Sequence, residues 1–156
     1  MRIWVDADNC AGAVRQIIVK AVHRVSVPAV FVAGVPIRLP VSPLVSGIQV
    51  AAEEQAADRY IKSSAAEGDI VVTADIPLAY DLVAAGVSVV NPRGDIYTRD
   101  TVGERLYMRN FLSGLREMGL ETPAPGKKKG KATSRFAGAF DRELTRLLNK
   151  TRARQG

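Results

Sequence analysis

Two stretches of this chain repeat one pattern, a short apolar run that stops on an acid. Ile3-Trp4-Val5-Asp6 is the first, and Ile70-Val71-Val72-Thr73-Ala74-Asp75 is the second. Runs without polar alternation suit strands buried on both faces, the situation of a parallel sheet packed between helices. Between them the period changes. Val14, Ile17, Ile18, Ala21, Val22 and Val25 recur at helical spacing, which predicts an amphipathic helix closed by Pro28. Ala29–Ala33 reads as a second buried strand, and Pro36 to Pro43, with three prolines, as a connector. A short strand is expected over Ile48–Ala51 and a helix over about 53–66, ended by Gly68. Pro77 opens a helix to Ala85, Val87–Val90 is a further strand, and Asn91-Pro92-Arg93-Gly94-Asp95 has turn chemistry. A long helix follows over Arg99–Met118. Strands alternating with helices at this spacing indicate an α/β fold with a mainly parallel central sheet.

The length of 156 residues suits one domain. The expected division is an α/β domain over 1–121, a basic flexible linker over 122–133, and an amphipathic helix with a basic tail over 134–156. Phe136, Phe140, Leu144, Leu147 and Leu148 mark that last helix, whose apolar stripe should dock back on the body. The net charge of +6 divides along the same boundary. Residues 127–156 hold ten Lys and Arg against Asp141 and Glu143, while residues 1–126 hold twelve bases and fourteen acids. The body is slightly acidic and the tail basic. A single cysteine, Cys10, excludes an internal disulfide framework, and a single histidine, His23, excludes a His-rich metal site. No apolar run approaches a membrane span, and Asp6 and Asp8 fall too early for a secretory signal. A cytoplasmic location with no membrane partner is the expectation.

In a parallel sheet the carboxyl ends of the strands share one edge, and ligands bind in the crevice there. Asp6 and Asp75 end strands, and Asp8 lies two residues beyond Asp6, so all three are expected at that edge. Three carboxylates together repel one another, and an oxygen-only set without histidine suits Mg²⁺ or Mn²⁺ better than zinc. Such a cation polarises a phosphate and activates water. The competing account is helix capping, since an Asp before a helix satisfies orphan amides without a metal.

The residues that carry chemistry also carry a resemblance. Ile3-Trp4-Val5-Asp6-Ala7-Asp8 with Cys10, then Ala57-Asp58, Gly68 to Ala79, Asn91-Pro92-Arg93-Gly94, Tyr97-Thr98 and Glu104 to Arg109 resemble the bacterial YaiI/YqxD family over about residues 1–120. More remotely the chain is similar to PIN-type nucleases. That likeness implies a three-layer α/β/α fold whose acids hold Mg²⁺ or Mn²⁺ and cut RNA, with Asp6, Asp58 and Asp75 in the roles of the strand, helix and turn acids. Two departures stand out. Asn9 and Ala11 flank the cysteine where the family tends to carry Ala and Pro. Glu53-Glu54-Gln55 replaces a Gly-Phe-Asp that the family tends to place before Ala-Asp.

The leading expectation is therefore a metal-dependent nuclease. Asp6, Asp8 and Asp75 ligate the metal, Asp58 completes the catalytic set, and Arg93, Arg105 and Arg109 hold a nucleic-acid backbone, RNA foremost. Two other readings stay open. A nucleic-acid-binding or regulatory protein without cleavage fits the missing acid at Gln55. An Asp-dependent phosphatase of the haloacid-dehalogenase type fits Asp6-x-Asp8, with Lys62 as its partner lysine. Each residue also has a plainer account. Asp58 sits four residues before Lys62 and can form an ordinary helical ion pair. Asp95 reads as a turn residue, Asp81 as solvent-facing, Arg116 as part of a solvated helix face, and Cys10 as a small buried side chain.

Overall fold

The computed structural model describes residues 1–122 and 131–155, and it sets the two acid-terminated runs side by side. Strand β1 (Ile3–Asp6) pairs in parallel with a strand over Ile70–Val72, matching Ile3 to Ile70, Trp4 to Val71 and Val5 to Val72. On its other side β1 pairs with β2 (Ala29–Ala33), and β3 (Val45–Gln49) lies beyond that. The Ile70–Val72 strand is β4, and β5 (Ser88–Val90) completes the sheet in the order β3-β2-β1-β4-β5, all parallel.

Alternation along each strand sorts its side chains to two faces. Ile3, Val5, Phe31, Ile70, Val72 and Val90 join one core cluster with α1 (Gly12–Val25) and α5 (Lys131–Gln155). Trp4, Val30, Val32, Val71 and Val89 join another with α2 (Ala56–Ser64), α3 (Ile76–Ala84) and α4 (Arg99–Glu117). The result is three layers, helices on both sides of one sheet. Helix α1 leads from β1 to β2 on one face, and α3 leads from β4 to β5 on the other. The sheet therefore grows outward in both directions from the β1–β4 seam, and a crevice opens at the carboxyl end of that seam.

Two boundaries differ from the sequence reading. Strand β3 begins at Val45 rather than Ile48, because it is an edge strand with exposed Ser46 and Gly47 that carries no continuous apolar signal. Helix α2 begins at Ala56 rather than near Glu53, because Gln55 adopts a left-handed backbone with φ of 67° that a helix cannot include.

Helix α5 buries Phe136, Ala139, Phe140, Leu144 and Leu147 against α1 and the sheet. Burial of each large side chain contributes about 1.5–3 kcal/mol, so this helix is a wall of the core. Its approach depends on Gly94, which has φ of +97° and whose missing Cβ would lie 2.6 Å from the Arg135 carbonyl carbon. At the far end Arg146 pairs with buried Glu143 and also donates to Ser88 at the start of β5. The basic linker expected over 122–133 lies largely outside the described residues, and its last three residues belong to α5, which begins at Lys131 rather than 134. Among the described residues no helix is long and apolar enough to cross a membrane.

Candidate functional site

Asp6 is the last residue of β1 and is 2% exposed. Its Oδ2 accepts from the Thr73 hydroxyl at 3.0 Å and from Asn9 Nδ2 at 3.4 Å. Thr73 follows β4, so this contact crosses the β1–β4 seam. Burial pushes the Asp6 carboxyl above its ordinary range. The hydrogen bonds from Asn9 and Thr73 oppose that shift, and the charges of Asp8 and Asp75 add to it.

Asp75 caps α3, its Oδ1 accepting from the Leu78 amide at 2.7 Å, while Thr73 Oγ1 accepts from the Asp75 amide at 3.1 Å. The capping account of Asp75 is thus correct. It occupies only one carboxylate oxygen, and across the crevice Asp58 of α2 comes within hydrogen-bonding reach of the same side chain. Burial, then the charges of Asp75 and Asp6, then the hydrogen bond with Asp75 push Asp58 from 3.8 up to about 7. The ordinary ion pair considered for Asp58 does not form. Lys62 instead reaches Asp81 of α3 at 2.9 Å, so Asp81 is an ion-pair partner as well as a surface residue. Lys62 is accordingly committed to Asp81 in the same cleft of about 160 Å³ that Gln55, Asp58 and Asp75 line.

Asp8 is exposed, and its Oδ2 accepts from the Gly34 amide at 2.7 Å, tying the single 3₁₀ turn after β1 to the loop after β2. The structure therefore gathers Asp6, Asp58 and Asp75 about the seam and leaves Asp8 at its margin. Among the described residues no group of three His, Cys, Asp or Glu side chains is drawn together closely enough to cage a metal ion. The donor chemistry nonetheless fits a hard cation. Mg²⁺ is commonly held by one or two carboxylates together with substrate phosphates, and Asp58 with Asp75 is such a pair.

One strand further along the same edge the charge reverses. The turn after β5 places Asp95 where Arg105 of α4 reaches one of its oxygens at 2.9 Å and Arg135 of α5 the other at 3.0 Å. Asp95 is thus the bridge between two helices and more than a turn residue. The Arg105 guanidinium also lies 5.3 Å above the Tyr97 ring, and the Tyr97 hydroxyl accepts from Asn91 Nδ2 at 2.9 Å. Arg142 joins Arg105, Tyr97 and Thr101 in lining a cleft of about 270 Å³ here. Of the arginines expected to hold a backbone, Arg105 is in this cluster, whereas Arg93 in the turn and Arg109 further along α4 are exposed and do not line the cleft. Arg116 donates to Thr122 at the far end of α4.

Sequence reasoning missed Thr73 and Asn9, which orient Asp6, and Arg135 and Arg142, which complete the arginine cluster. Thr73 had a signal, being the one polar residue before the strand's terminal Ala-Asp. The α5 arginines had none, since Arg135 meets Asp95 from 40 residues away in the chain and Arg142 meets the cleft only through the docking of α5. Cys10 is buried, and burial pushes its thiol up to about 12, which agrees with a packing role.

A family model described as "Uncharacterized BCR, YaiI/YqxD family" matches residues 4–146. The match takes in Asp6, Asp58 and Asp75, and it runs through most of α5, well past the end of the likeness near residue 120 seen in the sequence. Curated relatives have matching lengths. A UPF0178 protein of Myxococcus xanthus is 51% identical over 95% of this chain and 97% of its own length. One of Syntrophobacter fumaroxidans is 45% identical over 94% and 95%, and one of Halorhodospira halophila is 44% identical over 94% and 97%. From the acids of the seam to the arginines of the last helix, this chain belongs to the YaiI/YqxD family.

Proposed function

We propose that the protein is a PIN-like, Mg²⁺- or Mn²⁺-dependent phosphodiesterase acting on RNA or other single-stranded nucleic acid. The observation that carries this reading is the placing of Asp58 against Asp75 at the β1–β4 seam, next to buried Asp6, where burial and the neighbouring acids push the Asp58 carboxyl up. Like charges held together in a crevice cost stability, and such perturbed groups cluster at functional sites. Asp58 and Asp75 would hold the cation, with Asp6 behind them and Asp8 at the margin. When bound, a divalent cation offsets charge building on phosphoryl oxygens and lowers the pKa of water.

The chain's own residues supply the rest. Thr73 and Asn9 hold Asp6 in one orientation. Without a cation, burial and the neighbouring acids push the Asp58 carboxyl up to about 7, and a bound divalent ion would favour its charged, ligating form. Arg93, in the turn after β5, and Arg109, on α4, are exposed cations suited to backbone phosphates.

The test is cleavage of labelled RNA with Mg²⁺ and with Mn²⁺, wild type against Asp75→Asn. Cleavage by the wild type that the variant loses supports the reading. A wild type that binds RNA and leaves it intact with either cation overturns it in favour of a nucleic-acid-binding protein. The Gln55 carboxamide at the mouth of the cleft, in place of an acid, is the feature that favours that second reading.

A further inference from the structure

The arginine cleft between α4 and α5 is not explained by packing. Asp95 neutralises one of its two bound guanidiniums, and Arg142 lines the cleft with no carboxylate partner among the described residues. Arg105 and Arg142 line about 270 Å³ of open space, Arg135 reaches Asp95 on the same wall, and three arginines against one acid leave an excess of two positive charges. Asp95 holds Arg105 and Arg135 in fixed positions, and Tyr97 supports Arg105 from below. The cluster is thus preorganised for an anion, and guanidinium forks match phosphate oxygens. Its place matters too. The Thr73 amide donates to the Val90 carbonyl at 3.2 Å, which ties the acid segment after β4 directly to the end of β5. Neighbouring strands are about 4.8 Å apart, so one extended ligand can lie across both clefts.

We propose that Arg105, Arg135 and Arg142 form a phosphate subsite, taking a backbone phosphate of a single strand whose neighbouring phosphate lies at the acids. The inference rests on the proposed function for the second phosphate only. The subsite binds whether or not the acids cut. It also gives α5 a binding role in addition to its structural one.

The experiment measures affinity of the full chain for a short labelled single-stranded RNA in EDTA over a range of salt, so that no cleavage intervenes. Arg142→Gln is the informative variant because Arg142 holds no ion pair among the described residues, and an unchanged melting temperature confirms that it folds. The expected result is affinity lowered about tenfold and a salt-dependence slope reduced by about one. Arg142→Lys should restore the slope, and Asp75→Asn should bind at least as tightly as the wild type. Arg142→Gln matching the wild type in affinity and slope overturns the subsite, as does a wild type that does not bind RNA in EDTA. Binding that depends on Arg142 in a protein that never cleaves overturns the nuclease reading alone.

Discussion

Asp58 and Asp95 are half-buried carboxylates at one edge of one sheet, and their surroundings are opposite. Asp95 is met by two guanidiniums, one on each oxygen. Asp58 is met by a second carboxyl and the charge of a third, and its proton is retained up to about pH 7. Cations were within reach, since Lys62 and Arg59 line the same cleft, yet they pair with Asp81 and Glu53. The fold neutralises charge where structure is at stake and leaves it unneutralised at the seam. A site that keeps its repulsion when a remedy is nearby is a candidate for an added cation.

The contrast can be broken most forcefully through α5, which carries two of the three arginines of the cluster. Phe140→Ala empties a fully buried position in that helix and should destabilise the protein by about 3–5 kcal/mol, read by denaturant melts. A melt close to wild type would mean that α5 is an appendage and the Asp95 bridge incidental. Next in size is Gly94→Ala. Its methyl meets the Arg135 backbone at a φ that L side chains avoid, and a loss of about 1–3 kcal/mol is expected. Loss of the Arg135–Asp95 contact should accompany it, seen as weaker salt dependence of RNA binding.

The sharpest form of the comparison is a pair of substitutions of equal chemistry and opposite sign. Asp95→Asn leaves Arg105 and Arg135 without their shared partner, and these partly exposed pairs should yield a loss of about 1 kcal/mol. Asp58→Asn removes the repulsion at the seam and, in a chelator, should raise the melting temperature by roughly 2–4 °C. Equal signs would erase the distinction between the two carboxylates.

The smallest effect is its pH dependence. Asp58 binds its proton more tightly folded than unfolded, so without metal the folded state loses stability as pH rises from about 4 to about 7. Below that window the carboxyl is neutral in both states and the penalty vanishes. Asp58→Asn should flatten this slope, and the gap between variant and wild type should widen with pH in thermal melts.

How much of this was legible in the sequence depended on the range of the interaction. β1, β2 and β4 were readable as continuous apolar runs because both of their faces are buried, and the acids that end β1 and follow β4 marked the edge where the candidate site lies. β3 was displaced in the reading because an edge strand keeps polar residues and carries a weaker pattern. Asp75 could be read as a cap and as a site residue, and it is placed as both a cap and a neighbour of Asp58. The partners of Asp58 and Asp95 were not legible. Choosing Asp81 over Asp58 for Lys62, or bringing Arg135 to Asp95, depends on how helices lie across the sheet, and local periodicity does not encode that placement.

The position of α5 has a consequence for how the protein is made. Synthesis delivers β1 to β5 with α1 to α4 first, a stretch carrying twelve bases and fourteen acids up to residue 126. At that stage the acid seam can close, while the part of the sheet over β5 that α5 will cover is still open to water. A nascent chain in this state is prone to aggregation. Its net charge has the sign of the ribosomal RNA around it, so electrostatics holds the half-made molecule away from that surface. Two arginines of the proposed phosphate subsite, Arg135 and Arg142, arrive only with α5, the helix that seals the core.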